Sequence, residues 1–362
     1  MPKAVSPISS NDRDRLIGYQ MPAEWAPHLA TYIVWPHNLE TWPGKFNPIP
    51  SVFAKMAAAI AHFEPLRVLV NDTLDAQEIA ALIIDAPGPF GGTARMERIE
   101  FISVPTNDSW IRDHGPIFLN QVGGHAPQIA LDFRFNSWGE KYGAFDLDDV
   151  VPRRLGERYG FDVIEPGIVL EGGSIEVNGV GSLLTTESCL LNRNRNPHLT
   201  RTEVEEYLQA YFGVTQVLWL GDGIAGDDTD GHIDDLARFT SPDTIVTVVE
   251  EDPADANYAV LRDNLARLRA MRDPSGRPFK IETLPMPPAL SYDGTRLPAS
   301  YANFYVTNHG VIMPSFDCPQ DTIASATLAR LFPGRQVVMV PSTDLVWGLG
   351  AIHCLTQQHP AS

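Results

Sequence analysis

The segments LARFTSPDTIVTVV (236–249), DANYAVLRDNLARLRAM (255–271) and FKIETLP (279–285) decide the fold. They predict two short strands, a helix and a third strand, because β-branched runs favour strands and apolar residues three or four positions apart favour helices. The same order of elements occurs twice more, in the segments 173–186, 201–213 and 216–220 and in the segments 301–316, 321–334 and 335–341. Three consecutive units therefore have the pattern strand, strand, helix, strand.

The first half of the chain can be divided into two similar units. The unit nearer the middle has predicted strands at 116–120, 129–135 and 161–166 and a predicted helix from Asp146 to Gly160. The unit nearer the start has predicted strands at 31–35 and 66–70 and a predicted helix within 52–63. Units of about fifty to seventy residues that each expose an apolar face must stack on one another, and the commonest closed arrangement is a propeller-like ring. Two doubly wound domains are the alternative.

The ring predicts which polar side chains meet. Asp113, Glu171 and the pair His232 and Asp234 each precede the first hairpin of a unit. In a closed ring, equivalent places converge at one end of the axis, so these residues line one pocket although they are far apart in the chain. Cys354, which follows the last unit, is positioned to join them.

The sequence DGHID (230–234) suggests acid–base chemistry. On an extended backbone, His232 and Asp234 point to the same side because strand side chains alternate. A histidine that changes charge near neutral pH beside a fixed carboxylate suits proton transfer on a cationic substrate. The alternative interpretation is a solvated acidic loop.

Cys354 is the strongest of the three cysteines as a nucleophile, although most free cysteines are buried and inert. Small residues at positions 348, 350 and 351 would let a substrate approach the backbone closely. Cys189 lies in an apolar stretch and Cys318 in a turn beside proline, and the repeat pattern predicts no histidine or carboxylate near either. On a strand His353 would point away from Cys354, so His232 is the better candidate for its base.

Composition narrows the class of protein. The 362 residues are 44% hydrophobic, which is ample for a packed core, and no run of about 18 apolar residues predicts a membrane span. The absence of a signal-like apolar region at the start and the three scattered cysteines predict a cytoplasmic protein. The formal net charge of −18 argues against nucleic acid as a partner and suits the attraction of a cation, although solubility alone also explains it.

The sequence also contains partial matches to a dinucleotide-binding motif and a calcium loop, and a metal-hydrolase site is a third alternative, but none of the three is well supported. GDGIAG (221–226) follows a strand, but acidic residues rather than a helix come after it, which excludes a dinucleotide site. The acidic run also lacks the first and last ligands of a calcium loop, which would fall on Gly226 and Ala237. A metal hydrolase using His232 and the carboxylates of 227–235 would need additional histidine ligands, which the spacing does not provide.

Several motifs resemble the agmatine deiminase family, a branch of the guanidino-group-modifying enzymes that also includes bacterial peptidylarginine deiminase. The matching segments are MPAEW (21–25), NDSWIRDHGP (107–116), LEGGSI (170–175), NRNRNP (192–197), GHID (231–234) and IHCLTQQ (352–358). The resemblance runs from about Tyr19 to the C-terminus. It implies an α/β fold, a five-bladed propeller of ββαβ repeats with pseudo-fivefold symmetry, in one catalytic domain spanning 1–362 with the polar segment 1–18 at its periphery.

The same resemblance implies hydrolysis of a guanidinium to a ureido group with release of ammonia, and for agmatine the product is N-carbamoylputrescine. No cofactor and no metal are implied. By the matching motifs Cys354 is the nucleophile, His232 the general acid and base, and Asp113 and Asp234 the carboxylates that grip the guanidinium. Glu171 assists beside His232, and Trp110 lines the pocket. The clustered carboxylates are expected to raise the pKa of Cys354, so that its thiolate forms only beside a cation.

Departures from the family pattern concern the substrate's tail. The segment before the nucleophile usually reads GGGNIHC in the family, whereas Leu349 and Ala351 replace a glycine and an asparagine here. The sequence therefore leaves open a deiminase acting on free or peptidyl arginine. A non-catalytic guanidinium-binding protein is an alternative of another class, although a binder has no use for a thiol next to a histidine. A homo-oligomer is the default expectation.

Overall fold

Five mixed sheets form the framework of the protein, for which a computed structural model describes residues 8–124 and 126–362. In each sheet two antiparallel strands are followed by a parallel one. The first sheet contains the strands Gln357–Pro360, His28–Val34, Leu66–Val70 and Ile99–Ser103, and the second contains Tyr19–Gln20, Ile117–Gln121, Ile129–Leu131 and Asp162–Ile164. The third sheet contains Glu176–Val177, Ser182–Thr186 and Gln216–Leu220, and the fourth contains Ala237–Ser241, Thr244–Val249 and Lys280–Pro285. The fifth sheet contains Tyr305–Val306, Gly310–Ser315 and Gln336–Pro341.

In every sheet one long helix lies between the first pair of parallel strands, as the repeated pattern predicts, and in the first sheet the helix Ala76–Asp85 leads to a third parallel strand. These five connecting helices are Ile49–Phe63, Val151–Tyr159, Arg201–Phe212, Tyr258–Ala270 and Pro319–Leu331. The remaining helices and the separate hairpin are Ser10–Arg15, Ala76–Asp85, Ile111–His114, Ser137–Glu140 and Glu187–Leu190, with hairpin strands Ser291–Tyr292 and Thr295–Arg296. The α/β class is therefore confirmed, and two doubly wound domains are not observed in the described residues.

Local signals in the sequence define the ends of the helices. Thr200 caps the helix Arg201–Phe212 through a capping box with Glu203, and Gly213 ends it in the left-handed conformation, with φ 66°. The helix predicted from Asp146 to Gly160 is shorter than expected, because it begins at Val151 and ends at the left-handed Gly160. The predicted start was wrong because residues 146–150 form a turn.

The sheet that contains His28–Val34 is built from both ends of the chain. Its antiparallel partner is the strand Gln357–Pro360, which pairs Gln357 with Tyr32. The sequence pattern did not predict this strand, because the segment is short and polar. Its pairing ties the turn that carries Cys354 to the first unit of the chain.

Part of the N-terminal segment predicted as peripheral, residues 1–7, lies outside the described residues. Within the remainder, the hydroxyl of Tyr211 donates a hydrogen bond to Asp12 at 3.1 Å, and Leu16 is buried. No helix in the described ranges has the length and hydropathy needed to cross a lipid bilayer.

A methyl group added at Gly213 tests the role of the left-handed helix ends. Gly213→Ala should lower the free energy of unfolding by about 2 kcal/mol or more, because a non-glycine residue with φ 66° is strained and its Cβ would also collide with the carbonyl oxygen of Tyr19. Gly160→Ala is the matched control. Gly160 has φ 75° with nothing near its Cβ position, so only the conformational cost of about 1 kcal/mol applies. Equal losses in urea denaturation would contradict the steric argument.

Candidate active site

Four turns, each before a strand of a different sheet, bring the candidate residues together. Asp113 lies in the turn Ile111–His114, Glu171 precedes Gly172–Ser174, and Asp234 lies in Ile233–Asp235 with His232 just before it. Cys354 lies in the turn that precedes Gln357–Pro360. All five side chains are buried. The structure thus brings together the five residues that sequence reasoning selected.

Gly173 shows how closely these groups approach one another. A methyl group at this position would lie 2.6 Å from His232 Nδ1, 2.8 Å from Asp113 Oδ1 and 3.1 Å from Asp234 Oδ2. Only a residue without a side chain leaves the three groups free to face a common point. The Gly173 amide also donates to Asp113 Oδ1 at 2.9 Å, so this glycine both makes room for the carboxylate and holds it.

The expected extended backbone at His232 and Asp234 was wrong, because Ile233–Asp235 form a 3₁₀ turn. The turn still directs both side chains to the same region, as the contacts around Gly173 show. The His232 amide donates to Thr229 Oγ1 at 3.1 Å and to Asp227 Oδ2 at 3.2 Å, which fixes the start of the turn. The acidic run 227–230 therefore has a structural role rather than forming a solvated loop.

Asp113 is held by two donors and surrounded by other anions. Trp138 Nε1 donates to its Oδ2 at 2.9 Å, in addition to the Gly173 amide. Burial raises the pKa of Asp113 to about 6, and the nearby carboxylates of Asp234 and Glu171 act in the same direction. The sequence did not single out Trp138, which lies on a separate turn and meets Asp113 only in the folded chain.

His232 is fully buried, and within the described structure neither ring nitrogen has a hydrogen-bond partner. Its Nδ1 lies 3.7 Å from Asp113 Oδ1. Burial alone would lower the pKa of His232, but the charges of Asp113 and Asp234 contribute to raising it well above its usual value. The imidazole therefore carries a proton near neutral pH, which it can transfer to a leaving group.

Glu171 has one oxygen engaged and one free. Its Oε1 accepts a hydrogen bond from Arg195 Nε at 2.7 Å, whereas its buried Oε2 has no partner among the described residues. Cys189 lies beside this pair, since its sulfur, a Glu171 oxygen and a His232 ring nitrogen are all within 4.8 Å of one another. The expectation that no histidine or carboxylate lies near Cys189 was therefore wrong. The repeat pattern missed it because Cys189 lies on a short helix after the second strand of its unit.

Asn303 holds the Cys354 thiol and was missed by sequence reasoning. Its Nδ2 lies 3.0 Å from Cys354 Sγ and 3.0 Å from Asp235 Oδ1, and its Oδ1 accepts from the His353 amide at 2.9 Å. The repeat offered a signal, because Asn303 precedes Tyr305–Val306 as Asp113 and Asp234 precede the first strands of their units.

Cys354 is surrounded by negative charge. Burial raises the pKa of its thiol well above the usual value, and the carboxylates of Asp234, Asp235 and Asp113 raise it further. Its Sγ lies 3.6 Å from Asp234 Oδ2. The thiol is therefore protonated in the free protein at neutral pH, as the sequence led us to expect.

His353 does not project from a strand, because residues 352–355 form a turn. Its Nδ1 lies 2.7 Å from Asp234 Oδ2, so the residue contacts the site although it is not directed at the thiol. The expectation that His353 points away on a strand was wrong in its premise. The other Asp234 oxygen, Oδ1, is buried and lacks a partner in the described part of the chain.

A cavity of about 460 Å³ leads to Cys354. Trp110 and Trp138 line it near the thiol, and the ring of Trp110 fills the space beside Gly350, where a Cβ would lie 2.5 Å from Cζ3. Leu349 also lines the cavity and has φ 67°, a left-handed conformation that is strained for leucine. The carboxylate residues of the lining, besides Asp113, are Glu40, Asp108, Asp148 and Asp228.

Two groups of side chains within the described structure have atoms close enough to coordinate a metal ion. They are Glu171 with Cys189 and His232, and Asp234 with Asp235 and Cys354. The first has Arg195 against its carboxylate, a positive charge that opposes cation binding. Both groups coincide with the acid, base and thiol of the site, so a bound ion would compete with the chemistry those residues can perform.

A buried thiol, a protonated imidazole and several carboxylates at the end of a cavity define a cysteine-dependent enzyme of cationic substrates on a mixed α/β fold. Residues 20–360 match the family described as Porphyromonas-type peptidyl-arginine deiminase. The agmatine deiminase of Stutzerimonas stutzeri is 39% identical, over 95% of this chain and 96% of the relative. The chain therefore belongs to this family of guanidino-group-modifying enzymes, as its motifs indicated.

Solved structures agree with this assignment. An Enterococcus faecalis agmatine deiminase, described as catalysing its reaction, superimposes with a TM-score of 0.88 at 32% identity, covering 99% of both chains. A cysteine-to-serine variant of C. jejuni agmatine deiminase with substrate bound superimposes with a TM-score of 0.83 at 31% identity, covering 94% of this chain and 96% of the other. The mixed α/β fold is thus that of guanidino-group-modifying enzymes.

Neutralising each of two carboxylates should change stability in opposite directions. The pKa of Asp113 is raised, so its ionised form costs free energy at neutral pH, and Asp113→Asn should stabilise the protein by about 1–3 kcal/mol at pH 7. That gain should disappear between about pH 6 and pH 4, where the folded wild type takes up the proton. Burial would raise the pKa of Asp234, but His353 and His232 hold it below its usual value, so Asp234→Asn should destabilise. Urea denaturation at several pH values measures both, and a shared sign would contradict this electrostatic description.

Alkylation tests the protonation state of Cys354. Iodoacetamide should react slowly with Cys354 at about pH 7, and the rate should rise roughly tenfold per pH unit to beyond pH 9, because only the thiolate reacts. Mass spectrometry of the adducts separates Cys354 from the half-buried Cys318, and Cys354→Ser gives the background. Rapid modification of Cys354 in the free protein at neutral pH would show that the thiolate already exists there.

Proposed function

We propose that this protein hydrolyses the guanidinium group of agmatine to give N-carbamoylputrescine and ammonia. The observation that supports the proposal most strongly is the set of buried polar atoms without partners beside the thiol. Asp234 Oδ1, Glu171 Oε2 and both ring nitrogens of His232 are unpaired in the described part of the structure. Buried polar groups are almost always hydrogen-bonded, so these atoms call for a ligand, and the acceptors among them call for a donor-rich cation.

A guanidinium ion meets this requirement. It is planar, always charged and presents N–H donors in a fixed fork, which carboxylates bind with defined geometry. Asp113 and Asp234 would fix its orientation, with Glu171 acting beside His232. Held in this way, its carbon would face Cys354 Sγ, which lies 3.6 Å from Asp234 Oδ2.

The reaction would begin when the cation lowers the cost of ionising the thiol. The Cys354 thiol gives its proton to water in the cavity, and Sγ attacks the guanidinium carbon to give a tetrahedral adduct. The His232 imidazolium then donates its proton to one amino group, the C–N bond breaks and ammonia departs, leaving an amidino-thioether. Neutral His232 next removes a proton from water, which attacks the same carbon. The C–S bond breaks, the hydroxyl proton of this second adduct passes to the departing sulfur, and the ureido product leaves with the Cys354 thiol and the His232 imidazolium restored.

The lining of the cavity favours a second positive charge at the far end of the substrate. Besides Asp113, the lining has carboxyl groups on Glu40, Asp108, Asp148 and Asp228, and none of the described lining residues is lysine or arginine. Burial raises the pKa of Asp108, Asp148 and Asp228, so a nearby cation would favour their ionised forms. The primary ammonium of agmatine suits such a wall, whereas the carboxylate of free arginine would meet like charges. Leu349 and Ala351, which depart from the family pattern, lie at the nucleophile loop and would shape the space for the aliphatic tail.

The same proposal includes the architecture that sequence reasoning suggested. Five sheets with one strand pattern, the first of them joining the strand Gln357–Pro360 to His28–Val34, support a closed five-bladed propeller with pseudo-fivefold symmetry. We also propose that residues 1–362 form a single catalytic domain with the segment 1–18 at its periphery. A cytoplasmic location and a homo-oligomeric state stay predictions.

Product release from a panel of guanidines tests the proposed function. Purified protein should release ammonia and a ureido product from agmatine, with kcat/KM roughly 100-fold or more above that for free arginine, since like-charge contacts cost several kcal/mol. An arginyl peptide and methylated arginines complete the panel, because the description of the matching family names peptidyl-arginine as the substrate. Cys354→Ser should reduce turnover more than about 1,000-fold.

Cys318→Ser is the matched control for removal of a thiol. Cys318 lies at the start of the helix Pro319–Leu331, where serine is also a good capping residue, so turnover should stay within about twofold of the wild type. Preference for an arginyl peptide or for free arginine would overturn agmatine as the substrate while keeping the mechanism. Binding of agmatine without turnover of any guanidine would favour a non-catalytic binding protein.

A further inference from the structure

Glu24, in the N-terminal motif MPAEW (21–25), is buried and lies behind the active site. Its Oε2 accepts from Arg238 Nη2 at 2.8 Å and lies 2.7 Å from His353 Nε2, and its Oε1 accepts from the Val306 amide at 2.8 Å. Arg112 Nη2 approaches within 3.6 Å. A carboxylate with this many partners, in a fully buried place, is a fixed part of the structure.

His353 joins Glu24 to the site. Its two ring nitrogens lie 2.7 Å from Glu24 Oε2 and 2.7 Å from Asp234 Oδ2, so the ring bridges two carboxylates. The ring is almost fully buried, and the His353 amide is itself held by Asn303 at 2.9 Å. Glu24, His353 and Asp234 therefore form a continuous chain of short contacts that leads to the carboxylate beside Cys354.

Positive side chains compensate the carboxylates of this chain. Arg238 joins Glu24 to Glu176, whose Oε2 accepts from Arg238 Nε at 2.8 Å, and Arg112 Nη2 lies 3.6 Å from Glu24. The ring of His353 lies between Glu24 and Asp234. This pairing avoids the large penalty that an uncompensated buried charge would carry.

The consequence for Asp234 is geometric. His353 Nδ1 and the Cys354 thiol both contact Oδ2, whereas Oδ1 is buried and unpaired among the described residues, so Oδ1 is the oxygen left free to accept from a substrate. Resting on the proposed function, we propose that Glu24 and His353 are positioning residues, which hold Asp234 ionised and turn its free oxygen toward the guanidinium. Glu24 and His353 do not line the cavity, and their contacts lead to it through Asp234, which touches the lining residue Cys354.

The groups that face Asp234 come from several elements. His353 and Cys354 approach from the C-terminal turn, and Asp113 approaches from the turn before Ile117–Gln121. Three more groups, from its own segment and the strand that follows, also act on it, namely His232, Asp235 and Arg238. Burial would raise the pKa of Asp234, and the hydrogen bond and charge of His353 are the largest of the effects that lower it. Removing His353 should therefore let Asp234 take up a proton at a higher pH.

Ligand binding without turnover tests the proposal. The dissociation constants of agmatine and methylguanidine are measured by calorimetry from about pH 5 to pH 8 on Cys354→Ser protein, alone and combined with His353→Gln. His353→Gln should weaken binding of both ligands roughly 10- to 100-fold, as loss of a residue supporting a ligating group commonly does. It should also raise by about one unit the pH below which binding is lost. Glu24→Gln should act in the same direction, and Glu24→Asp should restore part of the effect.

Glu64→Gln is the matched control. Glu64 is a buried carboxylate 3.1 Å from the ring of His28, and it accepts from the Asn308 amide at 2.6 Å, but it has no contact with Asp234. It should lose folding stability without changing the affinity or its pH dependence. If Glu24→Gln does not fold, His353→Gln and Glu24→Asp decide the matter.

The possible results separate this proposal from the proposed function. Unchanged affinity and pH dependence in His353→Gln, or an equal change in Glu64→Gln, would overturn the positioning role while leaving agmatine as the substrate. Binding of methylguanidine but not agmatine, with the expected pH shift in His353→Gln, would support the positioning role and overturn agmatine as the substrate.

Discussion

The structure depends on one constraint, which is that three carboxylates are buried around His232. Asp113, Asp234 and Glu171 are all inaccessible to solvent or nearly so, and each needs compensation from the protein. Burying a charge without a partner costs several kcal/mol, so the positions of many other residues follow from this requirement. The compensation differs for each carboxylate, and the difference gives each one its chemical character.

Glu171 has a full positive charge against it in Arg195, and Asp234 has the ring of His353. Among the described residues Asp113 accepts hydrogen bonds from the neutral donors Trp138 and Gly173, with His232 more distant, and burial raises its pKa to about 6. The site is therefore incompletely compensated at Asp113 and at the free oxygens of the other two. A cationic ligand would supply what is missing, and in doing so would make the Cys354 thiolate less costly. Stability given up in the free protein is then recovered in the complex.

Much of the fold could be predicted because its signals are local. The alternation of apolar and polar residues in strands, the helical spacing of apolar residues and the glycines at helix ends defined the repeating units. The position of Asp113, Glu171 and Asp234 before the first strand of a unit predicted that their side chains meet. The conformation at His232 could not be predicted, since a 3₁₀ turn and a short strand both suit the sequence DGHID. The predicted meeting of the two side chains still holds, because His232 and Asp234 point to the same region in the 3₁₀ turn as they would on a strand.

The missed features all depend on contacts between distant segments. The strand Gln357–Pro360 has little strand character and is defined by its pairing with His28–Val34. Asn303 touches Cys354 across 51 positions, and Glu24 meets His353 across 329, which no periodicity in the chain records. Leu349 is a further case, because its left-handed backbone is unfavourable for leucine and is imposed by the surrounding structure.

A crystal structure of Cys354→Ser protein with agmatine would test the central claim most directly. We expect the guanidinium nitrogens to lie within hydrogen-bond distance of Asp113 and Asp234 Oδ1, with the central carbon facing the introduced hydroxyl and the primary ammonium near the other carboxylates that line the cavity. Agmatine bound in the reverse direction, with its ammonium at Asp113 and Asp234, would contradict the claim that the buried carboxylates are arranged for a guanidinium.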